Sequence, residues 1–197
     1  MAYGFNRFLT THTGSLPRPD DLIRAMFAKE EGVPIDRAAL ATRIRDAVAE
    51  VAKKQVEAGV DLVNDGEMSK PSYATYVKDR LTGFAGSSNT FVYQHLAEFP
   101  NLAKRVFSDP GRSRRRTPAC TAPIGVGDPA APLADIDNLK AALAGLNAAG
   151  VNAAGVNAAG VNAAGAFLSA ASPGVISLFF RNDHYANQEA YHRWCRC

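Results

Sequence analysis

No apolar run in this chain approaches the ~20 residues that a helix needs to cross a bilayer, which argues against a membrane-spanning protein. The N-terminal Met-Ala-Tyr-Gly-Phe-Asn-Arg has no long apolar core, so it does not read as a secretion signal, and a cytoplasmic protein is the default expectation. Charge of one sign is scarce as well. A net charge of +3, from 22 Lys and Arg against 19 Asp and Glu, says little about partners. The basic run of Arg112, Arg114, Arg115 and Arg116 lacks interleaved aromatics and reads as a solvated loop, not a nucleic-acid surface. Neither standard glycine-rich phosphate motif is present. Cysteine is rare: three residues, an odd number with two at the extreme C-terminus, make no disulfide framework. Cys120 lies in an apolar segment and reads as a small buried hydrophobe. His192, Cys195 and Cys197 crowd into six residues without a fourth ligand, so no metal site is expected there. What remains is a soluble, globular chain of 197 residues, 47% apolar, long enough for one cored domain or for part of a larger one.

Arg7 to Thr11 is a short strand candidate that runs into the loop His12-Thr13-Gly14-Ser15-Leu16-Pro17-Arg18-Pro19, where two prolines preclude regular structure. Asp20 or Asp21 can cap a helix through Phe27. Asp36 is a plausible cap for a longer helix, in which Leu40, Ile44, Val48 and Val51 make one apolar stripe ending at Gly59. Val60, Leu62 and Val63 then form a β-branched run too short for a helix, which predicts a buried strand and, with its predecessors, a βαβ unit with parallel strands. Ser69 and Pro71 open another helix carrying Tyr73, Tyr76, Val77 and Leu81 on one side. From 83 to 118 the pattern dissolves into a long loop, with a short helix near Leu102 to Phe107. Ala119 to Val126 reads as a third strand. A helix from Asp135 or Asp137 follows, with Ile136, Leu139, Leu143 and Leu146 as its stripe. Ala166 to Ser172 reads as a fourth strand, Val175 to Phe180 as an apolar segment, and Asn187 opens a last helix.

The segment 146–165 is LNAAG followed by three copies of VNAAG. A five-residue period rotates each Val by about 140° around a helix and throws successive valines onto opposite faces of a strand, so it suits neither. It reads as a tandem expansion of a helix-to-strand junction, a loop-like insertion that a fold can tolerate.

The residues with the clearest chemistry lie in GVDLVNDGE, from Gly59 to Glu67. Asp65 and Glu67 stand at the C-terminal end of the predicted strand, where ligands bind in alternating β/α architectures; an ordinary Asp-Gly turn is the alternative.

Five segments in order carry a family resemblance: THTGSLPRP, QVEAGVDLVNDGE with SKPSYATYVKDRLTGF, PACTAPIGVGD, DIDNLKAALAG and AASPGVISLFFRNDHY. Together they resemble the N-terminal half of the catalytic barrel of cobalamin-independent methionine synthase-like proteins, a group that includes epoxyalkane:coenzyme M transferases. The resemblance implies an α/β fold, a truncated (β/α)8 TIM barrel of about the first four β/α units, in a single incomplete domain over 1–197. It implies methyl or alkyl transfer to a thiol such as homocysteine from a donor such as methyltetrahydrofolate, with zinc holding the thiol as thiolate. In the full-length family, zinc is bound by a His-x-Cys pair and by Glu and Cys on later strands; this chain contains no His-x-Cys and is expected to stop before those ligands. A non-catalytic half-barrel remnant is therefore the competing reading, and a uroporphyrinogen decarboxylase-like barrel matches these motifs less well.

The resemblance assigns substrate binding to first-half positions only. Gly14 and Ser15 resemble the loop that holds the amino-acid carboxylate, with a plain turn serine as the alternative. Glu67 matches the acid that binds the substrate ammonium, and Asp65 is expected to orient the loop. His12 could approach the same site or be structural, and Ser172 could line the pocket or cap a helix. An unclosed barrel would also leave open strand edges, so self-association is expected.

Overall fold

A computed structural model describes residues 8–86, 96, 98–107, 117–148 and 165–195. In chain order the elements are α1 (Asp20–Glu30), α2 (Arg37–Glu57), β1 (Val63–Asn64), α3 (Tyr73–Lys78), β2 (Leu81–Ala85), α4 (Pro100–Phe107), β3 (Ala119–Val126), α5 (Ala130–Ala148), β4 (Ala166–Phe167), α6 (Pro173–Phe179) and α7 (Gln188–Trp194). They fall into two compact units, Met1–Pro71 with Pro129–Ala170 and Ser72–Asp128 with Ala171–Cys197.

The first unit is built around α2. Asp36 caps it as expected, its Oδ1 accepting from the amides of Ala38 at 2.9 Å and Ala39 at 3.0 Å. Val48 and Val51 of its stripe, with Val56 beyond it, are buried with Leu22 and Met26 of α1 and Leu139, Leu143 and Leu146 of α5, while Leu40 and Ile44 of the stripe pack partly buried against that cluster. Burial of this apolar surface is what holds the helices together. Asp20 and Asp21 do not cap α1: its N-cap is Pro19, and the two acids lie in the first turn, where the helix dipole favours negative charge. Helix α5 starts at Ala130, five residues ahead of the expected start. Pro132 sits in its first turn, where its missing N–H has no helical acceptor to lose. Ile136, expected on the buried stripe, is 36% exposed.

Strand β1 pairs in parallel with β4, Val63 opposite Ala166 and Asn64 opposite Phe167, and Thr11 forms a parallel bridge to Leu62. The parallel order is thus Thr11, β1, β4. The unit joins helices to a small, unclosed parallel sheet, since no further strand joins this ribbon among the described residues. The first strand is therefore a single bridge, with Arg7 outside the described residues. The second, read from Val60 to Val63, is Val63–Asn64, and the last is two residues long, not seven.

Ala119–Val126 is a strand, but not a member of that parallel series. In the second unit β3 pairs antiparallel with β2, Leu81 opposite Val126 and Ala85 opposite Ala119. Leu81, read as the end of a helix, and Gly83, read as the start of a loop, both belong to β2. The register shifts at Gly83, whose φ is +93°; a Cβ there would stand 2.7 Å from the Pro123 carbonyl oxygen, so the backbone approach requires glycine. Of Val175–Phe180, left open as an apolar segment, the part through Phe179 is helical in α6 and Phe180 is its extended C-cap. Phe84 and Phe180 form a tilted aromatic pair with centroids 4.6 Å apart. Helix α7 begins at the Asn187 cap and buries Tyr191 completely, its hydroxyl donating to the Phe180 carbonyl at 3.0 Å. The expected short helix near Leu102 is α4. Of the tandem repeat, α5 covers the segment up to Ala148. The rest to 164 lies outside the described residues, as do the arginine run and Cys197.

Candidate functional site

Asp61 ties the first strand to the second. Its carboxylate accepts from the Thr10 amide at 2.8 Å and hydroxyl at 2.9 Å, and the amides of Asp61 and Leu62 both donate to the Thr10 carbonyl. This brings the loop after Thr11 beside the end of β1. The Asn64 side chain donates to the His12 carbonyl at 2.6 Å and accepts from the Gly66 amide at 2.8 Å. Gln55, on the buried side of α2, holds Asn64 in place by accepting from its amide and donating to its carbonyl.

Asp65 to Met68 is a tight turn. The Met68 amide donates to the Asp65 carbonyl, and Gly66 and Glu67 have φ of +59° and +57°, the φ signature of a type I′ turn. Such turns favour Gly, Asn or Asp, and Glu67 is the only non-glycine residue with positive φ among the described residues. That conformation costs about 1–2 kcal/mol for an L-residue with a Cβ. Several contacts hold it. The Glu67 amide donates to Asp65 Oδ1 at 3.1 Å, and its carbonyl accepts from Arg18 Nη2 at 2.7 Å and Nε at 3.2 Å. Asp65 is itself held by Lys70, whose Nζ is 2.9 Å from Oδ2, with both side chains buried. Backbone strain maintained by surrounding structure at the C-terminal end of a parallel strand is the kind that marks functional sites.

The Glu67 carboxylate is aimed at the first loop. Ser15 Oγ donates to Glu67 Oε2 at 2.6 Å, and the Leu16 amide donates to the Gly66 carbonyl at 3.1 Å. Gly14, with φ of +95°, makes the bend that turns Ser15 toward Glu67. A buried carboxylate with a hydroxyl partner can receive a further donor, and an ammonium group suits it best because charge-assisted bonds are the stronger ones. His12 lies in the same loop. Its Nε2 is buried without a hydrogen-bond partner among the described residues, and His12 lines a cavity of about 660 Å³ with Leu16, Arg18, Met68 and residues of α2, a lining that does not include Ser15, Asp65 or Glu67.

The fold therefore brings His12, Gly14, Ser15, Asp65 and Glu67 together in one unit across some fifty positions of sequence. Ser172 belongs to the other unit, where its Oγ accepts from the Val175 amide at 3.2 Å as the cap of α6. Sequence reasoning passed over Arg18, Gln55 and Lys70. The signals were present: a polar residue on the buried stripe of α2, and an arginine fixed between two prolines.

A model of the family described as "Cobalamin-independent synthase, Catalytic domain" matches residues 8–118, more than half of the chain. The chain belongs to that family. Its resemblance to methionine-synthase-like methyltransferases extends to individual relatives. It is 30% identical over 98 residues to a methionine synthase of Sulfolobus acidocaldarius, covering 49% of this chain and 29% of that protein. It is 32% identical over 112 residues to a 5-methyltetrahydropteroyltriglutamate–homocysteine methyltransferase of Coxiella burnetii, covering 56% of this chain and 14% of that one. The B12-independent methionine synthase of Shewanella sp. W3-18-1, solved in complex with selenomethionine, shares the fold with a TM-score of 0.60 and 18% identity over 93% of this chain and 43% of that one. The chain thus spans less than a third of the curated relatives it matches.

Zinc does not fit the residues at hand. Asp65 is engaged by Lys70 and Glu67 by Ser15, and among the described residues no group of three or more His, Cys, Asp or Glu could hold a metal ion. Nor is any helix among them long and apolar enough to cross a membrane.

Proposed function

We propose that this chain supplies the amino-acid-binding part of a methionine-synthase-like (β/α)8 barrel, with Met1–Cys197 belonging to one domain of it. In this reading Glu67, backed by Ser15, receives the α-ammonium of homocysteine or methionine. Gly14 and Ser15 border the ligand carboxylate, Asp65 orients the turn, and His12 stands in the same loop. The single observation that carries it is the Ser15–Glu67 contact at 2.6 Å, made by a residue held in left-handed backbone at a parallel strand's C-terminal end. Family membership supports it, as does the presence of an α-amino acid, selenomethionine, in the fold relative. Methyl transfer from a methyltetrahydrofolate to the thiol is the family-level activity that we assign by resemblance. The second reading, a binding module without catalysis, is favoured by the lack of a metal-holding group among the described residues.

Calorimetric titration tests the site. L-Methionine should bind the parent chain and lose about tenfold or more in affinity in Glu67→Gln, as expected when one charge-assisted bond is weakened. The analogue 4-(methylthio)butanoate, which lacks the ammonium, should bind parent and variant alike. Equal methionine affinity in parent and Glu67→Gln would remove the proposed role.

A further inference from the structure

We propose that Arg18 is a positioning residue, a guanidinium clamp that holds the 65–70 turn closed with Glu67 in left-handed backbone and so sets the direction of its carboxylate. The inference deepens the reading of Glu67 as the ammonium-binding group and rests on it. Arg18 donates to the Glu67 carbonyl through both Nε and Nη2, and Nη2 also donates to the Lys70 carbonyl. One planar fork therefore gathers the two ends of the second half of this segment, 67–70, which the Lys70 amide also closes by donating to the Glu67 carbonyl at 3.0 Å. A guanidinium suits this task because its donors lie in fixed directions in one plane, whereas an ammonium is a point charge. Were Glu67 to relax to negative φ while the Leu16 amide holds the Gly66 carbonyl, its own carbonyl would rotate away from Arg18. The clamp therefore opposes the relaxation that the backbone otherwise favours.

The sequence around Arg18 stiffens the clamp. Pro17 and Pro19 flank it, fixing φ on both sides, and the residue before a proline is restricted to extended backbone. The same stretch makes three successive contacts with the turn: Ser15 to the Glu67 side chain, Leu16 to the Gly66 carbonyl, and Arg18 to the carbonyls of Glu67 and Lys70. A rigid loop of this kind loses little conformational freedom when it grips its partner. The rival role for Arg18 is a direct ionic contact with the ligand carboxylate, which would depend on charge and not on the fork.

The test uses the full chain with 15N-labelled glutamate. A φ near +60° brings a residue's amide and α protons closer than any negative φ does, so Glu67 should give a strong intraresidue amide-to-α NOE in the parent. Arg18→Met and Arg18→Lys should both weaken that NOE while the NOEs of α2 persist, and both should lower L-methionine affinity by about tenfold or more. A strong Glu67 NOE in Arg18→Met overturns the clamp, and parental methionine affinity in Arg18→Lys overturns it in favour of a charge contact. If Arg18→Met fails to fold, Arg18→Lys alone decides by the same two readouts. A parent that binds no methionine refutes the proposed function instead, and the NOE still decides whether Arg18 holds the turn.

Discussion

Replacing Lys70 by methionine removes an ammonium that stands 2.9 Å from Asp65 Oδ2, with the two side chains 2% and 3% exposed. Methionine fills most of the vacated volume, so the change isolates the charge from the packing. What remains is a carboxylate out of reach of water with one accepted bond kept, from the Glu67 amide to Oδ1. Breaking a buried pair by removing one partner costs about 3–5 kcal/mol, and the surviving amide bond places the expected loss near the lower end, about 3 kcal/mol. Against a typical domain stability of about 5–15 kcal/mol that is a large fraction. With a urea slope of about 2 kcal/mol/M, the unfolding midpoint should fall by about 1.5 M. Far-UV circular dichroism reports it well, because the long helices α2 and α5 belong to the same unit as the pair. The double variant Asp65→Asn with Lys70→Met neutralises the stranded charge and should recover about 1–2 kcal/mol of that loss. A midpoint shift below about 0.3 M in Lys70→Met, or a double variant no more stable than the single, refutes the view that this pair secures the turn.

Two further outcomes are expected. In Gly66→Ala the new Cβ would lie 3.0 Å from Met68 Cε and 3.1 Å from both Val51 methyls at a φ of +59°, so combined strain and crowding should cost about 2–4 kcal/mol by urea unfolding; a cost under about 1 kcal/mol would contradict the turn geometry. In the second unit, burial pushes the thiols of Cys120 and Cys195 and the hydroxyl of Tyr191 above their ordinary values of 9.0 and 10.0. Raised folded values mean that this stabilisation is complete below the unfolded values and is lost as pH rises above them, because the unfolded chain releases its protons first. Unfolding followed by Trp194 fluorescence should therefore show a lower urea midpoint at about pH 10.5 than at about pH 8, and equal midpoints would refute it.

The helices of the first unit were legible because their signals are local. Asp36 supplies a cap, Leu40, Ile44, Val48 and Val51 recur on one face, and Gly59 ends the run. The carboxylates of Asp65 and Glu67 were legible as polar residues directly after an apolar strand. The pairing of β2 with β3 was not. LTGFA carries no clear alternation, its glycine reads as a loop, and nothing local tells an antiparallel partner from a parallel one. Asp135 and Asp137 were read as the opening of α5, which starts at Ala130, with Pro132 tolerated in its first turn.

Composition and periodicity alone settled the class of protein: mixed α and β, without a bilayer-length apolar run, and with acids at the mouth of a parallel strand. Those properties follow from the order of residues over a few turns of chain, which is the range over which helix and strand patterns act. The working arrangement of the candidate site was decided elsewhere. Ser15 meets Glu67 across 52 positions, and Arg18 reaches the carbonyls of Glu67 and Lys70 across 49 and 52. The pairing of Thr11 with Leu62, with the Asp61–Thr10 and Asn64–His12 contacts, brings those segments side by side, and there an unfavourable backbone at Glu67 is held by contacts from another part of the chain. Left-handed backbone at a glutamate is disfavoured by every local preference, so it arises only where tertiary contacts outweigh them.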